Sequence, residues 1–447
     1  MFQLGARWQR VVVSVAILHV VVLFLVIPAV SSRLKTSYNQ NQFADGYDLL
    51  AANLVAGNGY RFYPDTARTL MREPGFPVFL AGILLVAGSS ITAVKIVNLI
   101  MTLVASWLTI RLAKRVVPDM QESHALLLAL PPILVLVSPG MLIAESRGGV
   151  EVLFGLLVAL FMLTVYRAIA SNRLQDYVVS GAVLGLTVLV RSTPMLFPLF
   201  LLPYLLFFEA GRVSRLAICR NVAAMIVTML IFLSPWIVRN YSLTGKIVPT
   251  ASVLGVSAQA GQYINTHLFE GRPWWLLDRE ASRERDKIAV KQGYPFEDGL
   301  QGYYQTFYQS GDEIKFSSDL LHDVLSDYWK SPMLFLRCMG QNVFNFWFAG
   351  KTWMATRANL VAQLPYLIFP GIGIAFCVKR GQLRSLGPLL LFICYFWAVH
   401  IPILAQARYS IPLTPLLSIP GAVGLITILR NTRVATRISK ASVTTTT

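Results

Sequence analysis

The 447-residue sequence is 55% hydrophobic and only 14% charged, with a mean hydropathy of +0.58. Soluble globular domains do not have this composition, and several apolar runs reach the roughly 20 residues needed to cross a bilayer. The composition therefore predicts an all-α polytopic membrane protein. The net charge of +17 lies mainly at the ends of apolar runs, which favours contact with membrane lipids and argues against nucleic acid as a partner. Four scattered cysteines predict neither a disulfide framework nor a zinc site.

The first apolar run, residues 11–30, follows Arg7 and Arg10, so we expect a retained first span with a cytoplasmic N-terminus. The remaining apolar runs lie near 76–90, 93–110, 125–144, 151–166, 177–190, 194–208, 217–238, 359–378, 386–405 and 411–429. Together they predict roughly ten to twelve transmembrane helices. The positions of the basic clusters put residues 76 and 145 on the same side of the membrane, so the chain must cross it an even number of times between them. Three apolar runs occur there, and one of them is therefore expected not to span.

Hydropathy divides the chain into four expected parts. These are an N-terminal transmembrane module, 1–236, whose first outer loop is 31–75; an extracytoplasmic loop region, 237–332; a C-terminal transmembrane module, 333–430; and a cytoplasmic basic tail, 431–447. The predicted location is the inner or plasma membrane, with both termini in the cytoplasm and the active site outside it.

Acidic residues are scarce, 22 in the whole chain. Four of them lie in the polar interruption 43–77, where the chain leaves the first span: Asp45, Asp48, Asp65 and Glu73. Carboxylates concentrated at a membrane boundary in so apolar a protein indicate chemistry there. Our interpretation is that this loop carries the base of a glycosyl transfer reaction at the outer face.

Transfer of a sugar to a hydroxyl needs a base for the acceptor, stabilisation of the leaving group and exclusion of water. If the leaving group is a lipid phosphate, cations must stabilise its charge. Asp45 is the leading candidate base. The guanidinium groups expected on the same face can bind phosphate oxygens bidentately, and they belong to Arg72, Arg191, Arg239 and Arg408.

Each of these residues also has a structural interpretation. Asp45 or Asp48 can cap the surface helix expected to begin near Tyr47. Glu151 opens an apolar helix, where the helix dipole favours a carboxylate. Arg191 ends an apolar run, and its side chain can extend to the lipid headgroups.

Four blocks of sequence resemble the bacterial lipid-linked-sugar glycosyltransferases of the GT-C fold, which are related to protein O-mannosyltransferases and to the lipid A aminoarabinose transferase. The resemblance runs from about residue 40 to 425. The blocks are FADGYDLLAANLVAGNGY from residue 43, REPGFPVFLA from residue 72, SPWIVRNYSLTGKIVP from residue 234 and ARYSIPLTPLL from residue 407. Each block alone is weakly specific, and the order of the four carries the resemblance.

The resemblance implies a polyprenyl-monophosphate sugar as donor and a single-displacement, inverting reaction. It implies that Asp45 is the base, that Glu151 is a second acid of the outer face, and that Arg239 and Arg408 bind the lipid phosphate. The register departs from several relatives, because Gly46 and Tyr47 follow Asp45, so Asp48 remains an alternative base. Four further residues in these blocks are predicted to contact substrate: Glu73, Tyr47, Asn240 and Tyr409. We predict no cofactor and no obligatory metal.

Two other functions remain open from the sequence. One is a transporter or flippase of an anionic lipid or solute, with the arginines along its path. The other is a GT-C polymerase or ligase with a pyrophosphate-linked donor and a possible need for a divalent metal. The acceptor is a lipid, a glycan or a protein, and the 237–332 region, with Trp274–Trp275 and Tyr303–Tyr304, is expected to help recognise it.

Overall fold

The computed structural model describes residues 6–33, 44–117, 124–294 and 310–444. Every regular element in these ranges is a helix, so the predicted all-α class is confirmed. The α-helices are α1 (Ala6–Val21), α2 (Ile27–Arg33), α3 (Tyr47–Val55), α4 (Gly75–Ala87), α5 (Ile91–Val116), α6 (His124–Leu136), α7 (Pro139–Ser146), α8 (Val150–Ser171), α9 (Leu174–Val190), α10 (Phe197–Phe208), α11 (Arg215–Thr244), α12 (Leu254–His267), α13 (Trp274–Lys291), α14 (Ser310–Lys330), α15 (Pro332–Phe348), α16 (Trp353–Gln363), α17 (Pro365–Lys379), α18 (Leu383–His400) and α19 (Thr414–Thr444).

Seven helical stretches of the described residues are long and apolar enough to cross a bilayer, which makes the protein a multi-pass membrane protein. They are Ala6–Val30, Ile91–Val116, Val150–Ser171, Arg215–Thr244, Trp353–Lys379, Leu383–His400 and Ala407–Asn431. The pair α6 and α7, bent by 46°, makes an eighth if it forms one span. By length and composition the described residues therefore give seven or eight spans, against the roughly ten to twelve predicted, with three shorter apolar segments besides: Gly75–Ala87, Leu174–Val190 and Thr193–Phe208.

The short helix α4 resolves the odd number of apolar runs between residues 76 and 145. Its 13 residues extend about 20 Å, less than the roughly 30 Å of a hydrocarbon core. Helix α5 runs away from the end of the bundle where α4 begins: Asn98 contacts Glu145 near the start of α8, whereas Ile110 packs against Val12 near the N-terminus. Both ends of α4 are therefore at the same end of the bundle, and α5 with the bent pair leaves two crossings.

Small residues allow the central helices to approach closely. A Cβ at Gly181 of α9 would overlap the Met225 carbonyl oxygen of α11, and one at Gly373 of α17 would overlap the Pro420 carbonyl oxygen of α19. Glycine is required at these positions because, in lipid, helices associate through tight packing rather than through apolar burial alone. The resulting rigid bundle sets the positions of the helix ends that carry the candidate site.

Helix direction brings the candidate residues to one end of this bundle. Arg191 ends α9, Glu151 lies in the first turn of α8, and Arg408 lies in the 3-10 turn Ala407–Leu413 that precedes α19. The opposite end contains different ion pairs, Arg167 with Asp176 and Arg384 with Glu209. Antiparallel helices of similar length therefore separate the two sets of charges.

The polar region 237–332 forms helices rather than an open loop. Helices α12, α13 and α14 share an apolar cluster that includes Val256, Ala289, Phe316 and Leu320. Residues 295–309, with Tyr303 and Tyr304, lie outside the described residues, as do 34–43 of the first outer loop. The four-part division of the chain remains a prediction.

Candidate active site

A left-handed backbone turn sets the direction of the Asp45 side chain. Asp45 and Gly46 have φ angles of 73° and 72° immediately before α3. Positive φ is uncommon for residues other than glycine, and aspartate is among those that tolerate it. The N-cap of α3 is Gly46, without a side-chain cap, so the Asp45 carboxylate does not cap this helix.

The Asp45 carboxylate instead forms a bidentate ion pair with Arg408, 363 residues further along the chain. Arg408 donates from Nη1 to Oδ2 at 2.7 Å and from Nη2 to Oδ1 at 3.2 Å. The two side chains are only 15% and 27% exposed. Burial alone would raise the pKa of Asp45, but the charges of Arg408 and Arg72 outweigh it and hold that pKa well below its usual range. Asp45 is thus a carboxylate that stays ionised.

A second arginine shares an aromatic platform with this pair. The guanidinium carbons of Arg191 and Arg408 lie 4.8 Å and 5.4 Å from the centre of the Tyr409 ring, within the range of cation–π attraction. Arg191 Nη1 and Arg408 Nε are buried, and neither has a hydrogen-bond partner among the described residues. Buried donors without acceptors are costly, so an anion bound here would stabilise the cluster.

The first-loop residues Arg72, Glu73 and Tyr47 complete this wall of the site. Arg72 is buried; its Nε is 3.4 Å from the Asp45 carbonyl oxygen and its guanidinium is 6.0 Å from the Tyr47 ring. Glu73 accepts a hydrogen bond from the Ser192 backbone N–H at 3.1 Å. Glu73 thereby ties the first loop to the turn after Arg191, which is a positioning contact.

The two other predicted acids differ in their relation to Asp45. Asp48 lies in the first turn of α3, accepts the Leu49 backbone N–H and has a pKa raised by burial. This is the helix-start role weighed from the sequence. Glu151 is buried, its carboxylate occupies the space that a side chain at Gly149 would need, and its charge acts on Arg408. The charge of Glu151 therefore acts in the same group as Asp45 and Arg408, whereas Asp48 is bonded to the first turn of its own helix.

Arg239 and Asn240 lie in a separate cluster. Arg239 donates to the Thr69 carbonyl at 3.0 Å and to Asn240 Oδ1 at 2.9 Å, and it stacks on the Trp236 ring at 4.4 Å. Asn240 is fully buried and donates to the Val248 carbonyl at 2.9 Å. The charges that act on Asp45 come from Arg408, Arg72 and Arg191. This geometry argues that Arg239 and Asn240 hold the first loop against α11 rather than contact a substrate.

Two charged residues whose electrostatics involve Asp45 were not predicted from the sequence. Asp278 of α13 is half-buried; burial raises its pKa, the charges of Arg285, Arg408 and Lys351 lower it, and the charge of Asp45 raises it. Lys351 has a pKa lowered by desolvation and by neighbouring arginines, and its carbonyl accepts the Trp275 N–H at 3.0 Å. The sequence contained a signal for Lys351, which stands beside a glycine in the short break between two apolar helices. It contained no signal for Asp278, because charges of both signs alternate along α13.

The assembled group holds four cations beside four acids: Arg72, Arg191, Arg408 and Lys351 with Asp45, Glu73, Glu151 and Asp278. Such a group can bind an anion and keep a carboxylate ionised beside it. The described residues contain no cluster of three or more His, Cys, Asp or Glu side chains able to hold a metal ion. The expectation that no metal is needed remains a prediction.

Comparison with known families identifies part of the chain. Residues 71–238 match the model of the family described as dolichyl-phosphate-mannose-protein mannosyltransferase. This match begins one residue before Arg72 and includes Glu151 and Arg191. Among curated proteins, no significant match is found.

Comparison with solved structures covers nearly the whole chain. The oligosaccharyltransferase of Archaeoglobus fulgidus in complex with Zn and sulfate has a TM-score of 0.53 and 13% identity, over 96% of this chain and 51% of that one. The archaeal oligosaccharyltransferase AglB of the same organism, with an inhibitory peptide and a dolichol-phosphate, has a TM-score of 0.54 and 12% identity, over 98% and 52%.

The chain thus spans about half the length of the structures it matches, and at this identity the likeness concerns the fold. The predicted resemblance is confirmed at that level. The protein has the GT-C fold of these glycosyltransferases, and its residues 71–238 match the dolichyl-phosphate-mannose-protein mannosyltransferase family.

Proposed function

We propose that the protein is a membrane glycosyltransferase that moves a sugar from a polyprenyl-monophosphate donor to an acceptor hydroxyl at the extracytoplasmic face. One observation carries the proposal: the Asp45 carboxylate is paired with Arg408 beside buried guanidinium nitrogens that have no partner in the described structure. This arrangement supports the proposal of a base beside a phosphate site. The GT-C fold and the family match support the same class of reaction.

The pairing suggests how binding of the donor activates the base. With its pKa held low by Arg408 and Arg72, Asp45 is a weak proton acceptor before the donor binds. A phosphate that binds Arg408 and Arg191 competes with Asp45 for the guanidinium groups. The pKa of Asp45 then rises toward its ordinary range, and the carboxylate becomes a stronger base when the donor is present.

The displacement then proceeds in one step. The acceptor oxygen forms its bond to the anomeric carbon while the bond from that carbon to the phosphate oxygen breaks, which inverts the anomeric centre. The hydroxyl proton moves to Asp45, and the lipid phosphate leaves with its charge stabilised by Arg408, Arg191 and Arg72. Lys351 adds a fourth cation near that charge, so the leaving group needs no proton.

The cation set supports a monophosphate donor without an obligatory metal, because three guanidinium groups and a lysine surround Asp45. An archaeal structure of the same fold contains a dolichol-phosphate, which is in keeping with a polyprenyl phosphate here. We further propose that both termini are cytoplasmic, since basic residues concentrate at the end of the bundle away from the site. Arg239 is assigned to holding the first loop.

The test uses the full-length protein in nanodiscs with a panel of polyprenyl-monophosphate sugars. We expect sugar-dependent release of polyprenyl phosphate by the wild type and a loss of about 10²- to 10⁴-fold in Asp45→Asn, the range for removal of a general base. Asp48→Asn is the matched control, with an expected change below about threefold. Asp278→Asn tests the competing carboxylate.

Several outcomes would decide against parts of this proposal. Turnover lost in Asp278→Asn or Asp48→Asn, but kept in Asp45→Asn, would reassign the base. Turnover only with pyrophosphate-linked donors would favour a polymerase or ligase. Absence of turnover with every donor, together with movement of a fluorescent anionic lipid across vesicles, would favour a flippase.

A further inference from the structure

An unassigned cavity of about 540 Å³ lies between α13, α15 and α16. Its wall is mostly apolar and includes Leu336, Phe344 and Trp353. This volume is within the usual range for small-molecule sites, which is about 300–1,000 Å³. The cavity is large enough for part of a lipid and has the lining that a hydrocarbon chain prefers.

The cavity opens among apolar side chains that the protein leaves uncovered. Leu336 is 59% exposed, Phe344 47% and Trp353 46%. Trp353 begins the candidate span Trp353–Lys379, and α15 precedes it along the chain. An apolar opening at the start of a span is accessible from the bilayer, so a lipid can enter it laterally.

Two polar side chains in the wall lack partners. The amide nitrogen and the amide oxygen of Gln341 and the indole Nε1 of Trp274 are all buried, without a hydrogen bond among the described residues. Both residues line the cavity. A buried unpaired donor or acceptor costs about 1–3 kcal/mol, so a ligand that pairs with these groups gains affinity.

These unpaired groups distinguish between the two substrates of the proposed reaction. The isoprenoid chain of the donor has no hydrogen-bonding group and its phosphodiester anion only accepts, so neither part can donate to the Gln341 oxygen, and the proposed reaction holds the donor's sugar hydroxyls at Asp45 instead. A hydroxyl or an amide can donate to that oxygen and also accept from the Gln341 nitrogen or from Trp274. The chemistry of the wall therefore favours an acceptor amphiphile over the donor's tail.

The cavity also adjoins the candidate active site. Gly350 and Thr352 line it, and the residue between them is Lys351, on which the charges of Asp45 and Arg408 act. Trp275, whose backbone N–H donates to the Lys351 carbonyl, is the residue directly after Trp274. A molecule held in the cavity is therefore separated from the charged group around Asp45 only by the short segment 350–352.

We propose that this cavity binds the acceptor, an amphiphilic lipid whose hydrocarbon portion lies against Leu336, Phe344 and Trp353 and whose hydroxyl or amide pairs with Gln341 and Trp274. The proposal rests on the proposed glycosyltransferase function and names its acceptor class as a membrane lipid. In this proposal the polyprenyl chain of the donor binds to a different surface of the protein.

The test is photo-crosslinking to the full-length protein in nanodiscs, with labelled peptides identified by mass spectrometry. One probe is a ceramide with a diazirine in its acyl chain, which supplies hydroxyls and an amide. The other is a diazirine-bearing geranylgeranyl phosphate, which supplies a prenyl chain and an anion. We expect the ceramide probe to label residues 332–356 in the wild type.

Two variants test the cavity directly. Gly340→Phe should lower ceramide labelling at least tenfold, because a Cβ at this position meets no atom within 4 Å and the ring would extend into the cavity that Gly340 lines. Gln341→Leu should lower it about five- to tenfold through two lost hydrogen bonds. Gly371→Phe is the control, since Gly371 of α17 is equally open and does not line the cavity.

Three outcomes would overturn the proposal. In the first, the prenyl phosphate probe labels residues 332–356 equally in the wild type and in Gln341→Leu. In the second, neither probe labels these residues. In the third, labelling by the ceramide probe is unchanged in Gly340→Phe. Crosslinking needs no turnover, and Asp45→Asn should label as the wild type does. Failure here is therefore distinguishable from failure of the glycosyltransferase proposal, which would appear as absent donor turnover.

Discussion

Asp45 and Glu313 are buried carboxylates that connect distant parts of the chain in opposite ways. Asp45 binds a guanidinium group, and its pKa is lowered. Glu313 accepts hydrogen bonds from neutral donors, the hydroxyls of Thr69 at 2.8 Å and of Ser252, and the Leu70 N–H at 3.1 Å. Burial raises the pKa of Glu313, and its donors offset that effect only in part.

The difference teaches how to separate a structural carboxylate from a reactive one in this protein. The donors around Glu313 use their hydrogen-bonding capacity on it, and they join the first loop to α14. Around Asp45, Arg408 and Arg191 keep buried nitrogens without partners in the described structure. A ligand can therefore bind beside Asp45 without breaking the fold, whereas beside Glu313 it would have to displace structural contacts.

The largest effect that would sharpen this comparison is expected from Arg408→Gln. It removes the cation shared by Asp45 and the proposed phosphate, and transfer should fall about 10²- to 10³-fold, as for loss of one donor to a developing anion. Arg384→Gln is the matched control, because Arg384 forms an equivalent two-point ion pair with Glu209 at the far end of the bundle. Turnover is measured with both variants in nanodiscs. An equal loss in the two variants would assign Arg408 a structural role.

Glu313→Ala should act on stability rather than on chemistry. It leaves Thr69, Ser252 and Leu70 without their buried acceptor, and we expect the free energy of unfolding to fall by about 3 kcal/mol. The measurement is the thermal midpoint in detergent, together with turnover per folded molecule, which should change less than about tenfold. Asp323→Ala, on the exposed face of the same helix, should alter the midpoint little. A complete loss of turnover at an unchanged midpoint would place Glu313 in the site.

The smallest expected effect is on the pH dependence of stability, which should have opposite signs for Asp45 and for Glu313. The folded pKa of Asp45 lies below its unfolded value, so the stabilisation by its ion pair is fully present above about pH 4 and is lost as pH falls through the folded pKa. The folded pKa of Glu313 is raised, so its contribution is most favourable in acid and declines as pH rises above about 4.3.

Thermal midpoints of wild type, Asp45→Asn and Glu313→Gln between pH 3.5 and 7.5 measure this difference. The advantage of the wild type over Asp45→Asn should shrink on acidification, and its advantage over Glu313→Gln should grow. Changes in the same direction for both pairs would mean that the two carboxylates do not differ as the structure indicates.

Much of the candidate site follows from helix ends, which hydropathy locates well. Because spans alternate in direction, a residue at the end of α9 and one before α19 must lie at the same membrane face. Arg191 and Arg408 were grouped in this way from sequence, and the structure brings both to the Tyr409 ring. The face of a helix is harder to infer: Arg239 lies at the same end of the bundle, yet the packing of α11 turns it toward Tyr60 and Trp236.

The polar region between the two transmembrane modules was the least predictable part. Its ten basic and twelve acidic residues give no local reason to select Asp278, which approaches Asp45 only through the packing of α13 against the bundle. The cavity next to Lys351 was equally unpredictable, because it forms where α13, from a distant part of the sequence, packs against α15 and α16.

The sequence by itself determined the all-α membrane class, the likeness to GT-C glycosyltransferases and the acidic loop with arginines at helix ends. These features depend on composition, apolar run length and short motifs, which are local properties of the chain. Only the tertiary structure decided that Asp45 rather than Asp48 pairs with Arg408, that Arg239 contacts the first loop at Thr69, and that Lys351 and Asp278 lie within electrostatic reach of Asp45. Those outcomes depend on which helix faces meet across hundreds of residues, and that is set by packing of the whole bundle.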